Sequence, residues 1–256
     1  MKKSKFYINW KQAEKIKKIA YNMMLKNHIY KEEDLKQAWE KFLIDVETIA
    51  SGKNIKLLTS GNLKISNKIG IYDMPEIITC KYACKSCYAC KSSRIYKNTR
   101  IYRMKHLLFI LLAIYNNNFR KLFISNMVEN CEKYEIIRLH GSGDFFSLQY
   151  LNIMLQVIKL CKHVKFYTYT KILENKKIDY INKNYENFNI IKSVININNQ
   201  NFINFGEHDY INKLAEKLEE NKKQYFICNY QNMEKHTCME TCHACLNCPH
   251  VLFYKH

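Results

Sequence analysis

Glu135-Ile-Ile-Arg-Leu139-His140-Gly141-Ser142-Gly143-Asp144 is the stretch on which the fold turns. A short apolar run, Glu135–Leu139, leads into a turn holding two of the chain's 6 glycines. Ser147 then stands where it can cap a helix whose face carries Leu148, Leu151, Met154, Leu155 and Ile158. Strand, small-residue turn and helix make one βα unit. The same order recurs on both sides. Upstream, Ile77-Ile78 leads into a cysteine loop, and helical sequence follows over Met104–Asn116. Downstream, Val164–Tyr169 runs into Thr170-Lys171, Phe188–Ile197 into Asn198-Asn199, and Tyr225–Ile227 into Cys228-Asn229. Such alternation predicts an α/β fold with a parallel sheet or barrel. Each expected strand ends in a chemically distinctive group, and parallel α/β folds gather their sites at the carboxyl ends of strands. Lys176–Asn189 and Asn196–Asn204 read as Asn-rich loops.

Ahead of the α/β part, residues 6–50 carry two helical stripes: Ala13, Ile16, Ala20, Met23, then Leu35, Trp39, Phe42, Val46. Glu32, Glu33 and Asp34 give the second helix an acidic first turn, which suits its dipole. The expected organisation is a helical hairpin over 1–56, read as a packing appendage, the α/β unit over 57–227, and a cysteine-rich segment over 228–256. With 256 residues, 47% hydrophobic and 25% charged, the chain has globular composition, which excludes a disordered tail protein. Its longest apolar run, Leu107–Tyr115, is far shorter than the roughly 20 residues that cross a bilayer. The basic start has no apolar stretch behind it, so no export signal is read, and the expectation is a cytoplasmic protein with no membrane contact.

The net charge of +18 suits a polyanion such as nucleic acid. Arginine occurs only at Arg94, Arg100, Arg103, Arg120 and Arg138, so lysine carries most of the charge. Lysine abundance accompanies abundant Asn, Ile and Tyr, the residues of AT-rich codons, and charge alone therefore does not decide the partner. Between Lys91 and Lys105 three arginines interleave with Tyr96 and Tyr102, a texture that serves either nucleic-acid contact or a solvated helix face.

The 11 cysteines are the most informative residues. Cys80, Cys84, Cys87 and Cys90 form one group, and Cys238, Cys242, Cys245 and Cys248 another. Without an export signal, thiols clustered this closely point to metal rather than disulfides. Cys80, Cys84 and Cys87 have the spacing C-x3-C-x2-C, with which three thiolates can hold three irons of a four-iron, four-sulfur cluster. The fourth iron is then open to a ligand. Cys84, Cys87 and Cys90 also make overlapping C-x2-C pairs, a zinc grip, and Cys90 could instead close the first site as a fourth ligand. Cys242, Cys245 and Cys248 form C-x2-C-x2-C followed by Pro249, a ferredoxin-like run. A fourth ligand would come from Cys228 or from its rival Cys238. Zinc, with His236, His243 and His250 as spare nitrogens, is the alternative here too. Cys131 and Cys161 lie in apolar helical surroundings and read as packing.

Several stretches resemble the phage gene product 88 family, found in phages and plasmids: Gly61–Lys64, Met74-Pro75, the Cys80–Ala89 loop, Ser142–Phe145 and Tyr169-Thr170-Lys171. The resemblance covers roughly residues 57–250. That family is itself similar to radical S-adenosylmethionine (SAM) proteins. The resemblance implies a partial (β/α) barrel and an open four-iron cluster at Cys80, Cys84 and Cys87. It also implies SAM held by Ser142, Gly143 and Asp144, and reductive cleavage of SAM by an electron from the cluster; Tyr169 and Lys171, at a strand end beside that turn, could hold the SAM carboxylate or a substrate phosphate. A second four-iron cluster would use Cys228, Cys242, Cys245 and Cys248, and an electron donor such as a flavodoxin or ferredoxin would be a partner. In this chain Ser86 precedes the third cysteine where many radical SAM loops carry an aromatic, and the turn is Gly-Ser-Gly-Asp rather than Gly-Gly-Glu. His140 is either a proton donor beside that turn or a satisfied core histidine. The alternative to an enzyme is a zinc or iron–sulfur module that binds nucleic acid without catalysis.

Overall fold

The computed structural model describes residues 9–25, 29–61, 65–80 and 88–192. Beyond these it describes 212, 213, 215, 216, 219–222, 224, 226–228, 244–248 and 251–253. Two helices open the chain, α1 (Trp10–Met24) and α2 (Glu32–Ala50). Asn9 caps α1 by accepting from the Lys11 amide, and Asp34 reaches back to the Lys31 amide to close the first turn of α2. A short β1 (Thr59–Ser60) precedes β2 (Ile69–Tyr72). Then come α3 (Glu76–Thr79), α4 (Tyr88–Ile95), α5 (Lys97–Tyr115) and α6 (Asn117–Cys131). The βα units continue with β3 (Ile136–Leu139), α7 (Leu148–Leu160), β4 (Lys165–Thr170), α8 (Asn175–Asn184) and β5 (Phe188–Lys192). Towards the C-terminus lie β6 (Phe226–Cys228), α9 (Ala244–Asn247) and β7 (Val251–Phe253).

The main sheet runs β1-β2-β3-β4-β5 in space as in sequence. β1 is antiparallel to β2, and every later neighbour is parallel. Strands added in sequence order leave no point among the described residues where the winding reverses. The protein is thus a mixed α/β fold on a mostly parallel sheet. β6 and β7 pair parallel as a separate ribbon.

Alternation along the strands divides the sheet into two faces. One face, with Tyr72, Ile137, Leu139, Phe166, Phe188 and Ile190, packs in a single core with residues of α1, α2, α5, α6 and α7. Helix α5 is buried without interruption from His106 through Ala113, so it shows no amphipathic stripe and forms the centre of the helical layer. The N-terminal helices share this core: Ile16, Ala20, Leu35, Ala38 and Phe42 are each at most 3% exposed. The other face carries Ile69, Ile71, Tyr167 and Tyr169, with Cys245 and Leu246 packed on it.

Two expectations about elements are corrected. The strand before the first cysteines is Ile69–Tyr72, and Ile77-Ile78 lie in α3. Pro75, at φ −63, starts that turn of helix without needing an amide partner. Gly70 hides the strand in the sequence. It is there because a Cβ would come within 2.6 Å of Ile137 Cδ1. Lys176–Asn184, read as loop, is the body of α8, anchored by Ile178 and Ile181. The Ser147 cap is found as expected, accepting from the Tyr150 amide at 3.2 Å.

Candidate metal and cofactor site

The carboxyl ends of β2, β3 and β4 form one polar mouth. From β2, the chain passes through Asp73 and Met74 into α3, whose C-cap is Cys80. From β3 it passes through His140 into the glycine turn, and from β4 into Thr170 and Lys171. Backbone pairs Met74–Ser142 and His140–Tyr72 tie the first two ends together. The Ser142 hydroxyl donates to the Met74 carbonyl at 2.9 Å and lies 3.3 Å from Glu76 Oε2. Gly143 sits at φ +83, and a Cβ there would lie 2.6 Å from both Met74 Cβ and Thr79 Oγ1. Only glycine allows that approach.

Asp144 joins all three ends. Its amide donates to Thr79 Oγ1 at 3.1 Å, one residue before Cys80. Its carboxylate accepts from the Phe145 amide, the Thr170 hydroxyl and the Lys171 amide at 2.7, 2.7 and 2.8 Å. Three of about four acceptor positions on this 2%-exposed carboxylate are thereby filled. Burial raises its pKa, and the Lys171 amide and Thr170 hydroxyl pull it back. The Lys171 side chain is partly exposed at the rim.

Sequence reasoning missed the other acids. Asp73 Oδ2 is 3.3 Å from Arg103 Nη2, whereas its Oδ1 is buried with no hydrogen-bond partner among the described residues and lies beside the Cα of Gly141. Burial raises the Asp73 pKa against the pull of Arg103 and Arg138. Glu76 Oε2 gathers Tyr30 Oη at 2.7 Å and Arg103 Nη1 at 3.1 Å. Its Oε1 has no hydrogen-bond partner among the described residues either. Nothing local in the sequence marks Asp73, Glu76 or Arg103. The only signal was arginine itself, rare in a lysine-rich chain.

His140 adopts φ +59, which costs about 1 kcal/mol or more for a residue with a side chain. Its ring is locked, with Nδ1 3.2 Å from Thr168 Oγ1 and Nε2 2.8 Å from Tyr150 Oη. Burial lowers its pKa to about 3, as it does for His106. A neutral ring with both nitrogens engaged is a core histidine.

Of the first cysteine set, Cys80 is partly exposed at the end of α3 and Cys90 is 2% exposed within α4. Cys84 and Cys87 lie outside the described residues. Of the second set, Cys228, Cys245 and Cys248 share one cluster with Tyr169, Ile191 and Val251, while Cys238 and Cys242 lie outside the described residues. Tyr169 belongs to this second region: its hydroxyl is 2.7 Å from Cys245 Sγ, and the Arg138 guanidinium lies 5.6 Å from its ring centroid. Asn189 of β5 holds the same segment, donating to the carbonyls of Cys245 and Cys248 at 2.8 and 3.2 Å. Among the described residues no three Cys, His, Asp or Glu side chains are arranged to hold a metal ion.

The basic stretch after the first cysteines divides. Arg100 and Arg103 are buried in ion pairs, and the Tyr102 hydroxyl donates to the Leu57 carbonyl. Lys91, Arg94, Tyr96 and Lys97 remain exposed at the junction of α4 and α5. Among the described residues no helix is long and apolar enough to cross a membrane.

A mostly parallel α/β sheet with a polar mouth at its carboxyl ends, and with cysteine-bearing segments at that mouth and on one face, defines the class of protein. The family model described as gene product 88 matches residues 47–253, and the chain belongs to that family. No curated protein and no solved structure matches.

Proposed function

We propose that the chain is an iron–sulfur protein of radical SAM type, with SAM bound at the carboxyl ends of a partial barrel and nucleic acid as a candidate substrate. One observation carries the reading: the glycine turn, the β4 end and the anchor of Cys80 meet at one point, where Thr79 Oγ1 receives the Asp144 amide. The residues present suit the groups invoked. Three sulfurs of the second set approach one apolar patch, and the donor chemistry of thiolates is that of an iron–sulfur cluster. Asp73 Oδ1 has no hydrogen-bond partner among the described residues, and an ammonium would satisfy it.

In this reading Cys80, with Cys84 and Cys87, holds the open cluster, and Cys228, Cys242, Cys245 and Cys248 the second. When bound, the cluster would supply the electron that cleaves SAM reductively. Ser142 and Gly143 shape the backbone against which SAM lies. Asp144 braces the turn, and Asp73 accepts the amino group. Lys171 at the rim offers a cation to the SAM carboxylate. Tyr169 directs its hydroxyl at a ligand of the second cluster. An external electron donor, a flavodoxin or ferredoxin, completes the requirement.

The test is SAM cleavage by anaerobically reconstituted, reduced protein of verified iron content. Formation of 5′-deoxyadenosine is the expected result, and intact SAM over fully loaded protein counts against the reading. A second reading, a non-catalytic zinc or iron–sulfur protein that binds nucleic acid, is favoured by the exposed Lys91, Arg94, Tyr96 and Lys97. Tight, salt-dependent oligonucleotide binding with unchanged SAM would select it.

A further inference from the structure

We propose that the corner between α4 and α5 is a contact surface for single-stranded nucleic acid, with Tyr96 stacking on a base and Lys91, Arg94 and Lys97 meeting the phosphates. It rests on nucleic acid being this protein's partner, and names the surface and the form of strand. Ile95 ends α4, Tyr96 stands alone between the helices and Lys97 opens α5. The Ile95 and Tyr96 side chains lie in solvent, 69% and 58% exposed. Lys91 is one helical turn before Ile95, and Arg94 and Lys97 flank the Ile-Tyr pair. All three cations are exposed, and among the described residues none of them forms an ion pair. None of the chain's 23 acidic residues falls within 77–128, the run that contains this corner. AT-rich codons explain abundant lysine, but they do not explain a long gap in acids that are frequent on both sides of it.

The corner is fixed from behind. The Tyr96 amide donates to the Ser92 carbonyl at 2.8 Å, and the Arg100 amide to the Tyr96 carbonyl at 3.4 Å. The buried Arg100 donates from Nη1 to the Ser93 carbonyl and from Nε to Asp34, both at 2.7 Å. Asp34, which α2 brings to this end of α5, is thereby occupied. Its exposed neighbours Glu32 and Glu33 accept from Tyr21 and Gln37. A ring carried on a rigid corner loses little freedom when a base stacks on it. Cations beside an exposed aromatic ring match a strand that offers phosphates and unpaired base faces together. A duplex keeps its base faces stacked inside and would engage the cations alone.

The experiment titrates the full-length protein into fluorescently labelled single-stranded DNA, single-stranded RNA and duplex DNA of one sequence. Anisotropy is read over a range of salt concentrations, beside the thermal midpoint of each variant. Wild type should bind a single strand, DNA or RNA, more tightly than the duplex. Tyr96→Ala should weaken that binding about tenfold with its salt dependence unchanged, and Tyr96→Phe should restore it. Arg94→Ala should reduce the slope of log affinity against log salt by about 0.7, the share of one phosphate contact on a single strand. Lys159→Ala makes the same charge change at an exposed position on α7 and should leave both affinity and slope near wild type. Wild-type binding in folded Tyr96→Ala and Arg94→Ala would overturn the proposal, as would a duplex bound as tightly as a single strand or an equal loss in Lys159→Ala. If Tyr96→Ala lowers the midpoint, Arg94→Ala and Lys97→Ala, which keep the ring, decide in its place. A wild type that binds no oligonucleotide would defeat the nucleic-acid reading itself, and the surface with it. A wild type that binds, with unaffected variants, would defeat the surface alone.

Discussion

Asp144 and Asp73 stand at one mouth in opposite conditions: the first carboxylate is nearly saturated by its own fold, and the second keeps an acceptor with no partner among the described residues. Asp144→Asn should cost about 2 kcal/mol or more in denaturant unfolding, because it puts an amide against donors. Asp73→Asn should leave more stability and remove more SAM affinity; equal SAM binding by both variants would refute this division. The histidines give a pH prediction. His106 and His140 each fall to about 3 in the fold, while an unfolded histidine titrates near 6.5. The unfolded chain therefore binds more protons between those values, and stability must fall as pH falls from about 6.5 towards 3. Each ring contributes at most about 1.4 kcal/mol per pH unit in that window. Thermal midpoints from pH 7 to pH 4 should drop steeply, and His106→Gln should reduce the slope; a flat wild-type profile would contradict the burial argument. At this scale the sequence exposed residues with local context, such as Gly143 and Asp144 in their turn. It concealed Asp73, Glu76 and Arg103, whose meaning comes from partners up to 66 positions apart.

Among elements, α7 was legible because a serine cap and a regular apolar face both survive in the sequence. β2 was not, because Gly70 interrupts it to admit Ile137 and Tyr134. α8 was masked by Asn and Lys, with two buried isoleucines carrying its packing. Gly143→Ala should be among the harshest single changes, costing about 2–4 kcal/mol, since it combines a positive φ with a clash against Met74 and Thr79. Circular dichroism melting checks it, and a midpoint near wild type would show that the turn is not held as described. Asn189→Ala tests the second cysteine segment. If the proposed clusters are present, losing both hydrogen bonds to the Cys245 and Cys248 carbonyls should lower the iron content of the second set alone, and an unchanged iron content would count against the segment's role.

For the molecule as a whole, the N-terminal hairpin and the α/β unit are built on one core, with α2 lying against α5. A chain starting at residue 51 should therefore lose cooperative unfolding and solubility, because α5 would expose an apolar surface. A soluble truncated protein with a sharp melt would contradict the shared core. Net charge was legible as a number but not as a surface: two of the five arginines are spent inside, in buried ion pairs with Asp34 and Glu76. The central claim is that thiols gathered around one parallel sheet hold iron–sulfur clusters, one of them open to SAM. The most direct measurement is anaerobic purification with assays for iron, sulfide and zinc, and electron paramagnetic resonance of the reduced protein with and without SAM. The account predicts about eight irons per chain and a signal that changes when SAM is added. Zinc in place of iron, or a signal indifferent to SAM, would contradict it.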